Sequence, residues 1–319
     1  MLSRSSTRLP RLRRRLILGN LAVLAAFVLI GALVFDRSHR TREASARQTA
    51  LNLAHALGQN MGAGFRQVDD GLQALLKRLD DLQAKGTPPP NEVARAAENE
   101  RARLPAVEAL RVTDASGLVL NPGDRPAISM ADRDYFQAAR AAPAQMVVSE
   151  PQRGRIVGGW GLVLARARTG ADGKFAGIVY ASIKTERLRE ELKHADVGPQ
   201  GAATLRSRSL QLITRYAPRD PDPEAGIGTS KVSRPLLASL AQDAARGSFV
   251  SRTALDGVER VTAYEAVPGY PMLLLVGLAT EDSRTAWHRE TGLVAAGLLL
   301  VQALLAWGSV VIYRRARPD

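Results

Sequence analysis

The chain has 319 residues, no cysteine, 45% hydrophobic residues and a formal charge of +13, a length that accommodates one or two globular domains. Six arginines before residue 16, and three near the C terminus set against Asp319, supply eight of those positive charges. What remains is mildly basic, which removes the main support for nucleic acid binding, and the lack of cysteine rules out a disulfide framework.

Inside the basic ends lie two apolar runs, "LILGNLAVLAAFVLIGALVF" from Leu16 to Phe35 and "GLVAAGLLLVQALLAWGSVVIY" from Gly292 to Tyr313. Each is long enough to cross a hydrocarbon layer about 30 Å thick at roughly 1.5 Å per helical residue. Their single strongly polar residues, Asn20 and Gln302, are groups that an intramembrane helix tolerates or uses to bind a neighbour. A signal peptide would have a shorter apolar core and a small-x-small cleavage site, which "GALVFDRSHR" lacks. Arginine clusters are retained on the cytoplasmic side. The expectation is therefore two transmembrane helices in a bacterial inner membrane, both termini cytoplasmic, and residues 36 to 291 on the periplasmic side.

After the first run, Leu51, Ala54, Gly58, Met61, Phe65, Val68, Leu72, Leu75, Leu79 and Leu82 recur in steps of three and four, the mark of one helical stripe. The stripe predicts a long helix that forms a dimer seam, docks on the following domain, or does both. "AKGTPPPNE" ends it, since consecutive prolines remove amide donors. Two α/β stretches follow. In the first, "EVARAAENERARL" reads as a helix, "AVEALRVTD" and "GLVLN" as a hairpin about "DASG", and "AQMVVSE", "RIVGGWGLVLARAR" and "KFAGIVYASIK" as strands, before the helix "TERLREELKHAD". The second predicts strands at "AATLRS", "LQLITRYA", "GSFVSRTA", "ERVTAYEAV" and "MLLLVGLAT", with a helix near "RPLLASLAQDAAR".

The segments "DRDYF" at 132–136, "VSEP" at 148–151, "GGWGLVLARARTGADGKFAGIVYASI" at 158–183 and "LDGVERVTAYEAVPGYPMLLLVGLATEDSRTAW" at 255–287 together resemble the double Cache sensors. Those tandem PAS-like modules precede bacterial diguanylate cyclases, histidine kinases and chemoreceptors. The resemblance spans roughly residues 40–288 and implies an α+β fold: a long N-terminal helix and two Cache modules with antiparallel sheets, flanked by two transmembrane helices. The expected organisation is a cytoplasmic tail (1–15), a transmembrane helix (16–35), a long periplasmic helix (36–86), a membrane-distal module (87–196), a membrane-proximal module (197–288), a second transmembrane helix (289–313) and a cytoplasmic tail (314–319). The family often has a D-G turn between the proximal module's first two strands; here "SRSLQ" stands there.

The resemblance also implies that a small ligand binds in the distal module. In "ADRDYFQAAR", Arg133 offers a forked, permanently charged donor to a carboxylate, and Tyr135 offers a ring face and a hydroxyl. The plainer reading has Asp132 capping a helix, Tyr135 and Phe136 filling the core, and Arg133 pairing with Asp134 or solvent. In the amino-acid-sensing branch the motif runs Y-x-x-x-x-R-x-W-Y, followed much later by an aspartate for the ligand's amino group. The early tyrosine falls here on Ile128 and the late aspartate on Ser182. A carboxylate without an α-amine therefore fits better. Arg153, Arg155 and Trp160 are candidate facing residues from "EPQRGRIVGGWG", or else a solvated basic hairpin with a buried tryptophan. Tyr180 can reach either face of its strand. Tyr264, Tyr270 and Trp287 read as packing or interfacial residues.

Histidines 39, 55, 194 and 288 are scattered, so no metal site or cofactor is expected. No nucleophile elbow or phosphate-cradling loop occurs. After Tyr313 only "RRARPD" follows, so output is expected from a separate partner or from a missing C-terminal kinase or cyclase domain. The leading expectation is a non-enzymatic, homodimeric membrane receptor for a small molecule. The alternative is a two-helix structural protein of envelope assembly without a ligand; an enzyme is the weakest reading, because no acid, base and nucleophile group assembles.

Overall fold

The computed structural model describes residues 8–123, 128–156, 158–170, 172–253 and 255–315, with the side chains at 8–13, 15–16, 30–42, 282–295 and 313 outside the description. Trp287 is among the latter. The chain divides into two compact units, residues 47–279 and the two ends, 1–46 with 280–319.

Within 47–279, the sequence stripe is a helical face. Helix α1 (Arg8–Gln83) buries Ala54, Met61, Phe65, Val68, Leu72, Leu75 and Leu79 to 6% exposure or less. They share one apolar cluster with both sheets, so within this chain the stripe docks on the domain. Helix α2 (Pro90–Arg101) starts at the proline run, where a first-turn proline gives up only an orphan amide. The first sheet comprises β1 (Ala109–Val112), β2 (Val147–Val148), β3 (Gln152–Arg153), β4 (Trp160–Thr169) and β5 (Phe175–Lys184). Its order is β1-β5-β4-β2, with β3 also on β4, and every pairing is antiparallel.

Strand alternation then assigns the faces. Leu162, Leu164, Val179, Ala181 and Ile183 join the α1 cluster. Val163, Ala165, Ile178 and Tyr180 point the other way, against α3 (Asp134–Ala141). Tyr180, left open by its sequence context, belongs to the outer face.

After α4 (Thr185–Lys193), the second sheet repeats the plan with β6 (Ala202–Ser207), β7 (Leu212–Tyr216), β8 (Arg246–Arg252), β9 (Glu259–Ala266) and β10 (Met272–Ala279). Its order is β7-β6-β10-β9-β8. Ala203, Leu205, Ala263, Leu274 and Val276 face α1; Tyr264, Leu273 and Leu275 face α5 (Arg234–Gln242). Tyr264 is fully buried and donates to the Asp243 carbonyl at 2.5 Å, and Tyr270 packs on Phe65 with ring centroids 5.3 Å apart. Both are packing residues.

One local expectation changes. "GLVLN" pairs only through isolated bridges, Thr113 with Val119 and Leu118 with Ser129, because the Asp114 carboxylate gathers the amides of Ser116 and Leu118 into a turn. At "SRSLQ" the β6–β7 turn holds Leu210 at φ 65°, a backbone conformation that glycine ordinarily supplies.

In the unit formed by the chain ends, Asn20 Nδ2 donates to Ser309 Oγ at 2.8 Å, and Gln302 Nε2 to the Asn20 carbonyl at 3.2 Å. Leu18, Leu21, Leu29, Leu299, Leu300 and Trp307 are more than half exposed there. Among the described residues no helix is long and apolar enough to cross a membrane; both apolar runs of the sequence extend into positions whose side chains are not described.

Leu72 is fully buried where α1 meets the sheets. Leu72→Ala should lower the unfolding free energy by about 2–5 kcal/mol, the usual range for a rigid core leucine, as read by urea denaturation; a change under about 0.5 kcal/mol, typical of a surface site, would mean the helix is not docked.

Candidate ligand-binding site

The outer face of the first sheet and the start of α3 enclose a cavity of about 40 Å³. All seven residues singled out from the sequence line it: Arg133, Tyr135, Arg153, Arg155, Trp160, Tyr180 and Ser182. They come from four places in the chain. Arg133 and Tyr135 open α3, Arg153 and Arg155 lie on and after β3, Trp160 begins β4, and Tyr180 and Ser182 share one face of β5.

The arginines have different tasks. Arg133 Nη1 donates to Gln152 Oε1 at 2.9 Å and Nη2 to the Arg153 carbonyl at 3.3 Å, while its Nε is buried without a partner. Arg155 is engaged: it forms a two-pronged pair with Asp132 at 2.8 and 2.7 Å and donates to the Ser129 carbonyl at 2.6 Å. Asp132 therefore braces the rim and does not cap α3, whose first turn has no side-chain cap. The hydrogen bond from Arg155 holds the Asp132 carboxyl down at about 2. Arg153 lies over the Trp160 ring, 5.3 Å from its centroid, a cation–π contact that fixes both as a wall.

Tyr135 and Tyr180 meet at a centroid distance of 5.6 Å. Burial pushes the Tyr135 phenol up to about 12 and the Tyr180 phenol higher still, so both are neutral donors at physiological pH. The Tyr180 hydroxyl is buried and unpartnered.

Sequence reasoning missed Arg111, Gln152 and Lys184, which also line the cavity. Arg111 is the one charged residue in the strand "ALRV", and the structure buries its Nε without a partner. The sum is five cationic side chains, Arg111, Arg133, Arg153, Arg155 and Lys184, and no carboxylate in the lining. Arg155 is paired with Asp132 and Lys184 with Glu108 at 3.1 Å; Arg111, Arg133 and Arg153 have no carboxylate among the described residues, and unsatisfied buried donors beside that charge suit a small anion. The "GG" of the rim also has a conformational reason: Gly158 and Gly159 sit at φ 75° and 67°, which other residues rarely adopt. Among the described residues no group of three or more His, Cys, Asp or Glu is placed to hold a metal.

A long helix packed on two five-stranded antiparallel modules, with a cavity on the outer face of the first, is the arrangement that the resemblance to double Cache sensors implies. Residues 185–277 match the dCache_1-like family model, described as a histidine kinase sensor domain. Among solved structures, the extracellular domain assigned to the histidine kinase rpHK1S-Z16 is 23% identical, with a TM-score of 0.67, over 76% of this chain and 98% of that one. The ligand-binding domain of the Campylobacter jejuni chemoreceptor Tlp3, in complex with 4-methylisoleucine, is 16% identical with a TM-score of 0.55, over 75% and 92% of the two chains. That of the Pseudomonas aeruginosa amino acid chemoreceptor PctC, in complex with GABA, is 19% identical with a TM-score of 0.53, over 71% and 96%. No curated protein matches the chain by sequence. Residues 47–279 thus have the fold of the ligand-binding regions of these chemoreceptors and of that histidine kinase's extracellular domain.

Because the Asp132 carboxyl is depressed in the folded chain, its contribution is present above the ordinary carboxylate range and is lost as pH falls through about 2. Side-chain NMR should give Asp132 a midpoint near that value, and Arg155→Met should return it toward about 3.9. An ordinary midpoint in the unaltered chain would mean that the brace is absent.

Proposed function

We propose that the chain is a membrane-anchored, extracytoplasmic receptor that binds a small carboxylate in the cavity of its first module. One observation carries this reading: three cationic side chains of the lining, Arg111, Arg133 and Arg153, have no carboxylate among the described residues, and the Arg133 Nε and the Tyr180 hydroxyl are unpartnered. Arg133 and Tyr180 take the carboxylate, Trp160 and Tyr135 wall the remainder of the ligand, and Arg155 and Gln152 hold the rim. The lining offers no acid to an amino group and has Ser182 at the position where amino-acid sensors place an aspartate. The ligands named for the neighbouring chemoreceptors, 4-methylisoleucine and GABA, are themselves small carboxylates; here the carboxylate is the recognised part.

Anchoring is supported by the two apolar runs with arginine at their outer flanks and by the exposed leucines and Trp307 of the end unit. The Asn20–Ser309 bond is the kind of polar pairing that joins helices in lipid. Ligand binding biases the module between two arrangements by its differential affinity for them. The bias leaves the domain through α1 and through β10, which runs directly into α6 (Thr280–Arg315). A cytoplasmic output element, either a partner or a following domain, reads it, and two copies act as a homodimer.

Calorimetric titration of the full chain against a panel of small carboxylates and their amide and amine counterparts tests the ligand class. Arg133→Met should weaken the best carboxylate roughly 10- to 100-fold, since a hydrogen bond to a charged group contributes about 1.5–3 kcal/mol. Undiminished affinity, or a strict need for an amino group, would overturn the assignment. Topology has its own test, because the chain has no native cysteine: a single cysteine at exposed Gln137 should react with an impermeant maleimide added outside intact cells. Labelling only after lysis contradicts the periplasmic placement.

A further inference from the structure

The second module repeats the plan of the first, including a cavity of about 60 Å³ on the outer face of its sheet. In the first module the cavity lies over central strand β5 and its neighbours β1 and β4, at the start of α3. In the second it lies over central strand β10 and its neighbours β6 and β9, at the start of α5. The correspondence extends to charge, because each first strand sends an arginine to its cavity, Arg111 from β1 and Arg206 from β6.

Three arginines of this lining, Arg206, Arg215 and Arg260, are at most 5% exposed. Two have carboxylates. Arg260 binds Asp256 at 2.9 and 2.7 Å, and Arg215 binds Asp220 at 2.7 Å and also Asp256. Arg206 has only carbonyls: Leu210 at 2.6 Å, Thr229 at 3.4 Å and Lys231 at 3.2 Å. Among the described residues no carboxylate pairs with it. Burial, and then repulsion from Arg215, pull the Arg206 guanidinium down to about 10, so it stays cationic at neutral pH. Carbonyl dipoles satisfy its N–H groups without cancelling its charge, and buried charges are ordinarily paired.

We infer that this cavity is a second ligand site, which takes a small carboxylate with a short carbon tail. Its carboxylate sits against Arg206 and the hydroxyls of Thr204 and Thr262, and its tail against Leu236, Phe249 and Leu275. The two polar and apolar walls distinguish it from a site for a symmetric inorganic anion, which would leave the apolar wall unused.

The test uses the full chain carrying Arg133→Met, so that the first cavity is weakened and the outcome does not depend on it. This protein is titrated calorimetrically with acetate, propionate, butyrate and phosphate. Propionate or butyrate should bind at one per chain and more tightly than phosphate. Arg206→Met should then weaken binding at least tenfold. Because removing a buried arginine can unfold the module, Ser251→Leu, which fills the cavity and leaves Arg206 in place, should produce the same loss with the melting temperature retained. The inference fails if no carboxylate binds, if phosphate binds best, or if Ser251→Leu leaves the affinity unchanged. Failure of the first-module reading looks different: there Arg133→Met has no effect on the ligand bound by the unaltered chain.

Discussion

The burial of a single apolar helical face orders this domain. Each sheet has two faces, and α1 covers one face of both. Burial of side chains such as Phe65, Leu72, Leu75 and Leu79 removes the largest continuous apolar surface from water, at roughly 25 cal/mol per Å². The outer faces are left to short helices, α3 on the first sheet and α5 on the second. A helix of eight or nine residues cannot cover a five-stranded sheet, and the uncovered part of each outer face is where a cavity forms. Core and cavity are thus alternate residues of the same strands: Val179, Ala181 and Ile183 inward, Tyr180 and Ser182 outward.

Arginine is used in two ways on this frame. Arg155, Arg166, Arg215 and Arg260 are joined to carboxylates and brace one segment against another; Arg166, for example, ties β4 to Asp69 of α1 with an Nη2–Oδ2 distance of 2.8 Å. Arg111, Arg133 and Arg206 have no carboxylate among the described residues and all three line cavities. The two cavities are also joined by packing. Trp160, a wall of the first, lies so close to Gly228 that a Cβ there would come within 3.3 Å of its ring. Gly228 donates to the Leu212 carbonyl, and the next residue, Thr229, accepts from Arg206.

Much of this was legible in the chain. The period of α1 was readable because one face is buried along several turns; the long strands β4, β5, β9 and β10 were readable because their apolar runs end at turn residues. The "GLVLN" hairpin arm was not, since the Asp114 carboxylate competes for the backbone amides and leaves bridges only. The two-residue β3 is too short to show a period, whereas β2 lies within the strand expected at "AQMVVSE". At the site, the residues with unusual chemistry for their surroundings, Arg133, Tyr135, Trp160 and Tyr180, were visible one by one. Arg111 was passed over because a lone arginine in a strand ordinarily marks a solvent-facing position.

By itself, then, the sequence determined the order of the long elements, the apolar stripe of α1, the repeated α/β plan and the residue types available to a site, because each of these is written in local period and composition. The tertiary structure decided which face Tyr180 and Ser182 occupy, that Asp132 braces Arg155 without capping α3, and which arginines lack a carboxylate. Those outcomes depend on partners distant in the chain, and no local pattern records which charge will meet which when two sheets close on one helix.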